Sequence, residues 1–108
     1  MKAATQTAID AVLTVDRLVH EPARLAILTV LASAEWVEFG FLETICRLSK
    51  GNLSSHLSKL ESGGLISIDK RFEGKRPVTR AAITRAGSSA LEQYRAQIAA
   101  LIKAVPKS

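Results

Sequence analysis

Small, hydrogen-bonding and cationic side chains recur on one side of a single stretch, residues 48–65, LSKGNLSSHLSKLESGGL. At 100° per residue, Leu53, Leu57 and Leu60 fall within about 60° of one another, which predicts a helix with one apolar edge. Its other side carries Gly51, Ser55, Ser58 and Ser62, flanked by Asn52 and Lys59. Ser49 is a natural N-cap, and Gly63-Gly64 is a natural stop. Side chains of these types can do recognition chemistry. The Asn52 amide can pair bidentately with adenine, while Ser54, Ser55 and Lys59 reach base edges or phosphates. Ser49 and Lys50 belong to the expected DNA-contacting set of this helix, and Gly51 permits close backbone approach. His56 lies nearer the apolar edge, where packing or phosphate contact suits it better than base reading. Taken alone, the same pattern also describes a solvated amphipathic helix.

The charge distribution weighs on that choice. The net charge is +5 over 108 residues. Residues 1–48 hold four basic and six acidic side chains, whereas residues 49–85 hold eight basic and three acidic. The cations of Lys70, Arg71, Lys75, Arg76 and Arg80 fall in one short segment after the helix, the footprint expected of a surface for a polyanion.

Catalytic and metal chemistry find no support. His20 and His56 share no nucleophile motif, and the single cysteine and two histidines lack C-x-C or H-x-x-x-H spacing. No metal, cofactor or enzymatic activity is expected. One cysteine cannot form an internal disulfide, which fits a reducing cytoplasm, and Cys46 reads as a packed thiol rather than a redox switch. No apolar run approaches the roughly 20 residues of a membrane span, and Asp10 and Asp16 interrupt any signal-like segment. A membrane partner is not expected. At this length one domain over residues 1–108 is expected.

The remaining elements must hold the opening helix in place. Ile9, Val12 and Leu13 predict a first helix over residues 4–18. Pro22 marks a boundary, and an almost wholly apolar helix is expected over 23–34. Residues 36–38 read as a short strand, and 41–48 as a short helix with Phe41, Leu42, Ile45 and Leu48 inward. Trp36, Phe39, Phe41 and Phe72 are expected as core or hairpin anchors. Two short helices across a tight turn make a helix-turn-helix. After Gly64 the period changes to two, and two runs around Glu73-Gly74-Lys75 predict a basic β-hairpin, a wing. Thr84 caps a last helix over about 85–104. There Leu91, Tyr94, Ile98, Leu101 and Val105 follow a 3-4-3-4 spacing with Ile102 alongside, a short heptad seam suited to a second copy. The expected fold is mainly α (α+β): a winged helix-turn-helix over 40–83, a two- or three-stranded wing, and terminal helices at 1–19 and 85–105.

The segments HEPARLAILTVL (20–31), KGNLSSHLSKLESGGLI (50–66), FEGKRPVT (72–79) and ITRAGSSALEQY (83–94) resemble winged helix-turn-helix transcriptional regulators related to the MarR and ArsR groups. The chain is most similar to the compact winged-helix proteins of bacteria and archaea. It departs from them at Arg80-Ala81-Ala82, where an aromatic is usual, and at Arg85-Ala86, in place of Pro-Glu. The resemblance implies a recognition helix at 49–62, a wing at 70–80, and a homodimer built from the terminal helices. Ile9, Val12 and Leu13 with the seam of the last helix would form that dimer. Double-stranded DNA is the implied partner. A pocket for a small-molecule effector between domain and dimer helices occurs in some relatives, but no residue here names a ligand. The competing expectation is a protein-interaction module of the same fold that binds no DNA.

Overall fold

A computed structural model describes residues 2–107. In chain order the elements are α1 (Ala3–Leu13), α2 (Pro22–Leu31), β1 (Val37–Glu38), α3 (Phe39–Cys46), α4 (Lys50–Ser62), β2 (Ile66–Glu73), β3 (Arg76–Ile83) and α5 (Arg85–Ala104). The sheet is antiparallel in the order β1-β3-β2, so this is the α+β winged helix-turn-helix that the patterning predicts.

Leucines and isoleucines from every layer meet in one core. Ile27, Leu28 and Leu31 of α2, Leu42 of α3, and Leu53 and Leu60 of α4 are wholly buried. Leu65, Ile66 and Ala81 close it from the sheet. The core is framed by local caps. Glu21 accepts from the amides of Ala23 (3.0 Å) and Arg24 (2.9 Å), with Pro22 in the first turn of α2. Ser49 accepts from the amide of Asn52 at 3.2 Å. At the other end of α4 the amide of Leu65 reaches Leu60 O (3.0 Å) and that of Gly64 reaches Glu61 O (2.9 Å). This is a Schellman cap, and the φ of +78° at Gly64 is the left-handed turn it requires.

Thr84 ties that end of α4 to α5. Its hydroxyl donates to Gly64 O at 2.7 Å and accepts from the Gly87 amide at 3.0 Å. Gly87 is buried where the start of α5 packs on the backbone of Leu65, just before β2. A Cβ there would overlap the carbonyl oxygen of Leu65 and stand 2.8 Å from Ile83 Cγ1.

Some boundaries differ from the expected ones. The first helix ends at Leu13, not residue 18. The Thr14 hydroxyl turns back onto Asp10 O and Ala11 O, and the Asp16 carboxylate accepts from the Leu18 amide at 2.9 Å, so local side-chain bonds replace the helical ladder. The second helix stops at Leu31, three residues short of expectation. The third begins at Phe39 and ends at Cys46. Its inner line is therefore Phe39, Leu42 and Cys46, and Phe41 and Ile45 lie on a second line that is 55% and 50% exposed. Of the expected core or hairpin anchors, Phe39 packs on the core, whereas Trp36 (40% exposed) and Phe72 (72%, on the hairpin) lie outside it.

The molecule measures 62 × 28 × 21 Å, with a radius of gyration of 16.4 Å. A compact chain of this length would have about 13 Å. The difference is an arm: α5, about 30 Å long at 1.5 Å per residue, runs beyond the core with α1 packed along it.

Candidate nucleic-acid interface

The interface is built on α4. Leu53, Leu57 and Leu60 fasten its inner edge, which leaves Lys50, Gly51, Asn52, Ser54, Ser55 and Lys59 exposed, with Ser49 exposed at the cap. Ser54 and Ser58 turn toward the hairpin. With Phe41, Lys70, Pro77 and Thr79 they line an open groove of about 580 Å³ between helix and hairpin. Gly51, Ser55 and Ser62 point outward, and Asn52 and Lys59 lie on the flank away from the hairpin, as the 100° rotation per residue requires.

His56 is not on that open face. Its side chain is 19% exposed and its Nδ1 lies 3.2 Å from the guanidinium of Arg24, and 3.6 Å from Glu21. Arg24 can only donate, so the histidine accepts. Arg24 also donates through Nε to Leu18 O at 2.7 Å and through its other amino group to Arg17 O at 3.3 Å. One guanidinium thus joins the loop after α1, the start of α2 and the inner flank of α4. Burial pushes the Glu21 carboxyl up. The amides of Arg24 and Ala23 and the nearby His56 and Arg24 side chains outweigh it and hold the carboxyl below its ordinary value.

The hairpin divides its cations. Lys70, Arg71 and Lys75 are exposed and enter no ion pair among the described residues. Arg76, 62% exposed, sits 3.4 Å from both Glu38 and Glu73. Such exposed pairs contribute about 0–1 kcal/mol and exchange readily for another anion. Arg80 is different. Its Nε donates to Asp69 at 2.8 Å and its guanidinium lies 4.4 Å from the Trp36 ring centroid, which holds it within the sheet rather than toward solvent. The turn Gly74-Lys75 has positive φ only at Gly74, the II′ pattern that matches strand twist.

Two further residues of this region carry no local sequence signal. Arg24 lies 32 residues from the histidine it meets. Arg47, the turn between α3 and α4, adopts φ 55°, ψ 46° and is exposed beside the start of α4. A helix-turn-helix turn often contains glycine, and here an arginine takes the left-handed position instead. Cys46 is half-buried against the core, and burial pushes its thiol pKa up.

The residues expected in a dimer seam divide between two surfaces. Tyr94 is buried and accepts or donates at 2.8 Å with His20 Nδ1; Leu91 and Ile98 pack on the same core. Ile9, Val12 and Leu101 are half-buried along the α1–α5 contact, whereas Leu13 (70%), Ile102 (66%) and Val105 (59%) are open, Val105 just beyond the end of α5. An apolar groove of about 460 Å³ runs between α2 and α5, lined by Leu25, Leu91, Tyr94, Ile98 and Ile102.

A helix-turn-helix followed by a basic three-stranded wing defines the winged-helix class of DNA-binding domains. Residues 23–102 match the family described as winged helix DNA-binding domain, and the chain belongs to that family. It is 33% identical over 87 residues to an uncharacterised protein of Methanocaldococcus jannaschii, covering 81% of this chain and 95% of that one. It is similar to the structure of a transcriptional regulator homologue from Pyrococcus horikoshii, with TM-score 0.81, 26% identity, and 90% and 95% of the two chains covered. It shares its fold with Sco3205, a MarR family transcriptional regulator from Streptomyces coelicolor solved in complex with DNA. There the TM-score is 0.64 at 21% identity, over 94% of this chain and 66% of that one. No helix among the described residues is long and apolar enough to cross a membrane.

Proposed function

We propose that the chain is a sequence-specific double-stranded DNA-binding regulator that acts as a homodimer and represses by occupying its site. The observation that carries this reading is the common orientation of two surfaces. Ser54 and Ser58 of the exposed polar face of α4 and Lys70 and Arg76 of the wing line one open groove, with Arg71 and Lys75 exposed on the same hairpin. In this reading α4 enters the major groove and the wing follows the backbone into the adjacent minor groove. Asn52 and Ser55 read base edges, Ser54 and Lys59 reach edges or phosphates, and Lys70, Arg71 and Lys75 grip phosphates. Arg76 joins them by exchanging its carboxylate partners for a phosphate.

The homodimer rests on exposed area. The chain exposes 7354 Å², against about 5,800 Å² for a compact monomer of this mass. The excess is more than the roughly 800 Å² that each partner buries in a standard interface. The arm and its apolar residues Leu13, Ile102 and Val105 supply it, and the groove between α2 and α5 continues the same face.

The test is an anisotropy titration with random and promoter duplexes at two salt concentrations, with light scattering for mass. Each phosphate neutralised should contribute about −0.9 to the slope of log K against log salt. Asn52→Ala should lose affinity for the preferred duplex while random-duplex binding stays constant; equal losses on both remove its reading role. A salt-independent or absent titration leaves the interaction-module reading in place, and a monomeric mass rejects the dimer.

A further inference from the structure

The tip of the wing holds an aromatic side chain that nothing in its own chain covers. Phe72 is 72% exposed, one residue before the turn. Strand register fixes which way it faces. Its cross-strand partner is Pro77, and Lys70 pairs with Thr79 on the same face of the ribbon. Lys70, Pro77 and Thr79 are residues of the groove beside α4. Phe72 therefore extends the groove-facing side of the wing outward by two residues, past the last cation on that side. A lone exposed apolar residue is ordinary on a protein surface. Here it sits among Lys70, Arg71, Lys75 and Arg76, and that setting restricts its partner. An apolar protein face would leave Lys70, Arg71 and Lys75 without anions. A nucleic-acid groove supplies both chemistries, phosphates along its rims and the apolar faces of sugars and bases within.

We propose that Phe72, backed by Pro77, is an apolar wedge that enters the minor groove and partly unstacks one base step, while the surrounding cations hold the phosphates on either side. The two-residue turn keeps the tip narrow enough to address a groove about 6 Å wide. Apolar wedges of this kind open flexible steps and bend the duplex. The wing would then contribute specificity through deformability, preferring pyrimidine–purine steps at its position. The inference rests on the reading of the chain as a DNA-binding regulator, but it assigns the wing a role that phosphate contacts alone do not provide.

The test uses the full chain, a duplex selected from random sequence by the wild type, and 2-aminopurine placed in turn at its A·T positions. Wild type should raise the emission at one step. Phe72→Ala should abolish that rise and weaken binding about tenfold, with an unchanged salt slope because no phosphate contact is lost. Phe72→Trp should retain both properties. Thermal melting of both variants should match wild type, since the side chain contributes little to the core. Flat emission at every position, or a Phe72→Ala affinity within twofold of wild type, overturns the wedge while salt-dependent wild-type binding leaves the DNA-binding reading standing. Wild type that binds no duplex overturns both. Binding to anionic vesicles that depends on Phe72, with duplex binding indifferent to it, would assign the tip to a membrane surface instead and also overturn the wedge.

Discussion

Replacing Arg24 by methionine keeps most of the side-chain stem and removes every polar contact of its guanidinium. The 2.7 Å bond to Leu18 O is short and charge-assisted, a class that contributes about 1.5–3 kcal/mol. The 3.3 Å bond to Arg17 O is long, and the 3.7 Å pair with Glu21 involves a carboxylate 29% exposed, so together they add about 1 kcal/mol or less. Arg24→Met should therefore destabilise the fold by roughly 2–3 kcal/mol, or roughly 10 °C or more in melting temperature for a domain of this size. Urea unfolding followed by circular dichroism gives the equilibrium value, with Arg95→Met as the control, because Arg95 is 78% exposed in a pair with Glu92. A double-mutant cycle with His56→Ala should return a coupling of about 0.5 kcal/mol or more. An Arg24→Met midpoint indistinguishable from that of Arg95→Met, at unchanged m-value, refutes the assignment of Arg24 as the clip between loop, α2 and α4.

Gly87→Ala should be among the most damaging single-methyl additions in the chain, about 3 kcal/mol or more, because backbone at Leu65 cannot yield as a side-chain tip would; a melting temperature near wild type contradicts the close packing of α5 on Leu65. Arg47→Gly should stabilise by about 0.5–1 kcal/mol in urea, since it relieves a left-handed backbone at a bulky residue. If the arginine is retained for its charge beside α4, the same variant should bind duplex more weakly although more stable, and a loss of stability would show that its side chain holds the turn. Glu21 carries a lowered pKa in the folded chain, so the unfolded state binds the extra proton as pH falls. Its contribution is present above the ordinary glutamate value, about 4.3, and is lost as pH falls through the lower folded value. Glu21→Gln should flatten that acid limb of a stability-against-pH curve, and an unaltered limb would place the acid sensitivity elsewhere.

What could be read from the sequence was local. The α4 leucines, Ser49, Gly63-Gly64 and Thr84 are caps and stripes whose signal lies within one helical turn, and each stands where its residue type predicts. The hairpin follows from a change of period and a glycine at the turn. What was not legible has one physical cause, choices decided by distant partners or competing local bonds. Phe39 could continue a strand or begin α3. Once it begins the helix, Phe41 and Ile45 rotate out of the core. The heptad spacing of α5 names a stripe but not its partner, and the upper part of that stripe packs on its own domain. The wing cations look equivalent in sequence, yet Asp69 and Trp36 take up Arg80 and leave Lys70, Arg71 and Lys75 free. His56 and Arg24 meet only after the whole fold has closed.

A seam of three leucines is a poor indicator of position. Leu53, Leu57 and Leu60 present similar shapes, so α4 could screw along its axis by one turn and still bury leucine. The end of the helix limits that freedom. Leu18 lies over Gly63, the residue that caps α4, where a Cβ would collide with its δ2 methyl and push the leucine aside. The leucine fits the gap left by the missing side chain, which helps to seat the end of the helix. In the DNA-binding reading proposed above, a face offset by a turn would meet bases about 5.4 Å away, so the phase of recognition would be set on the side of the helix turned away from the DNA.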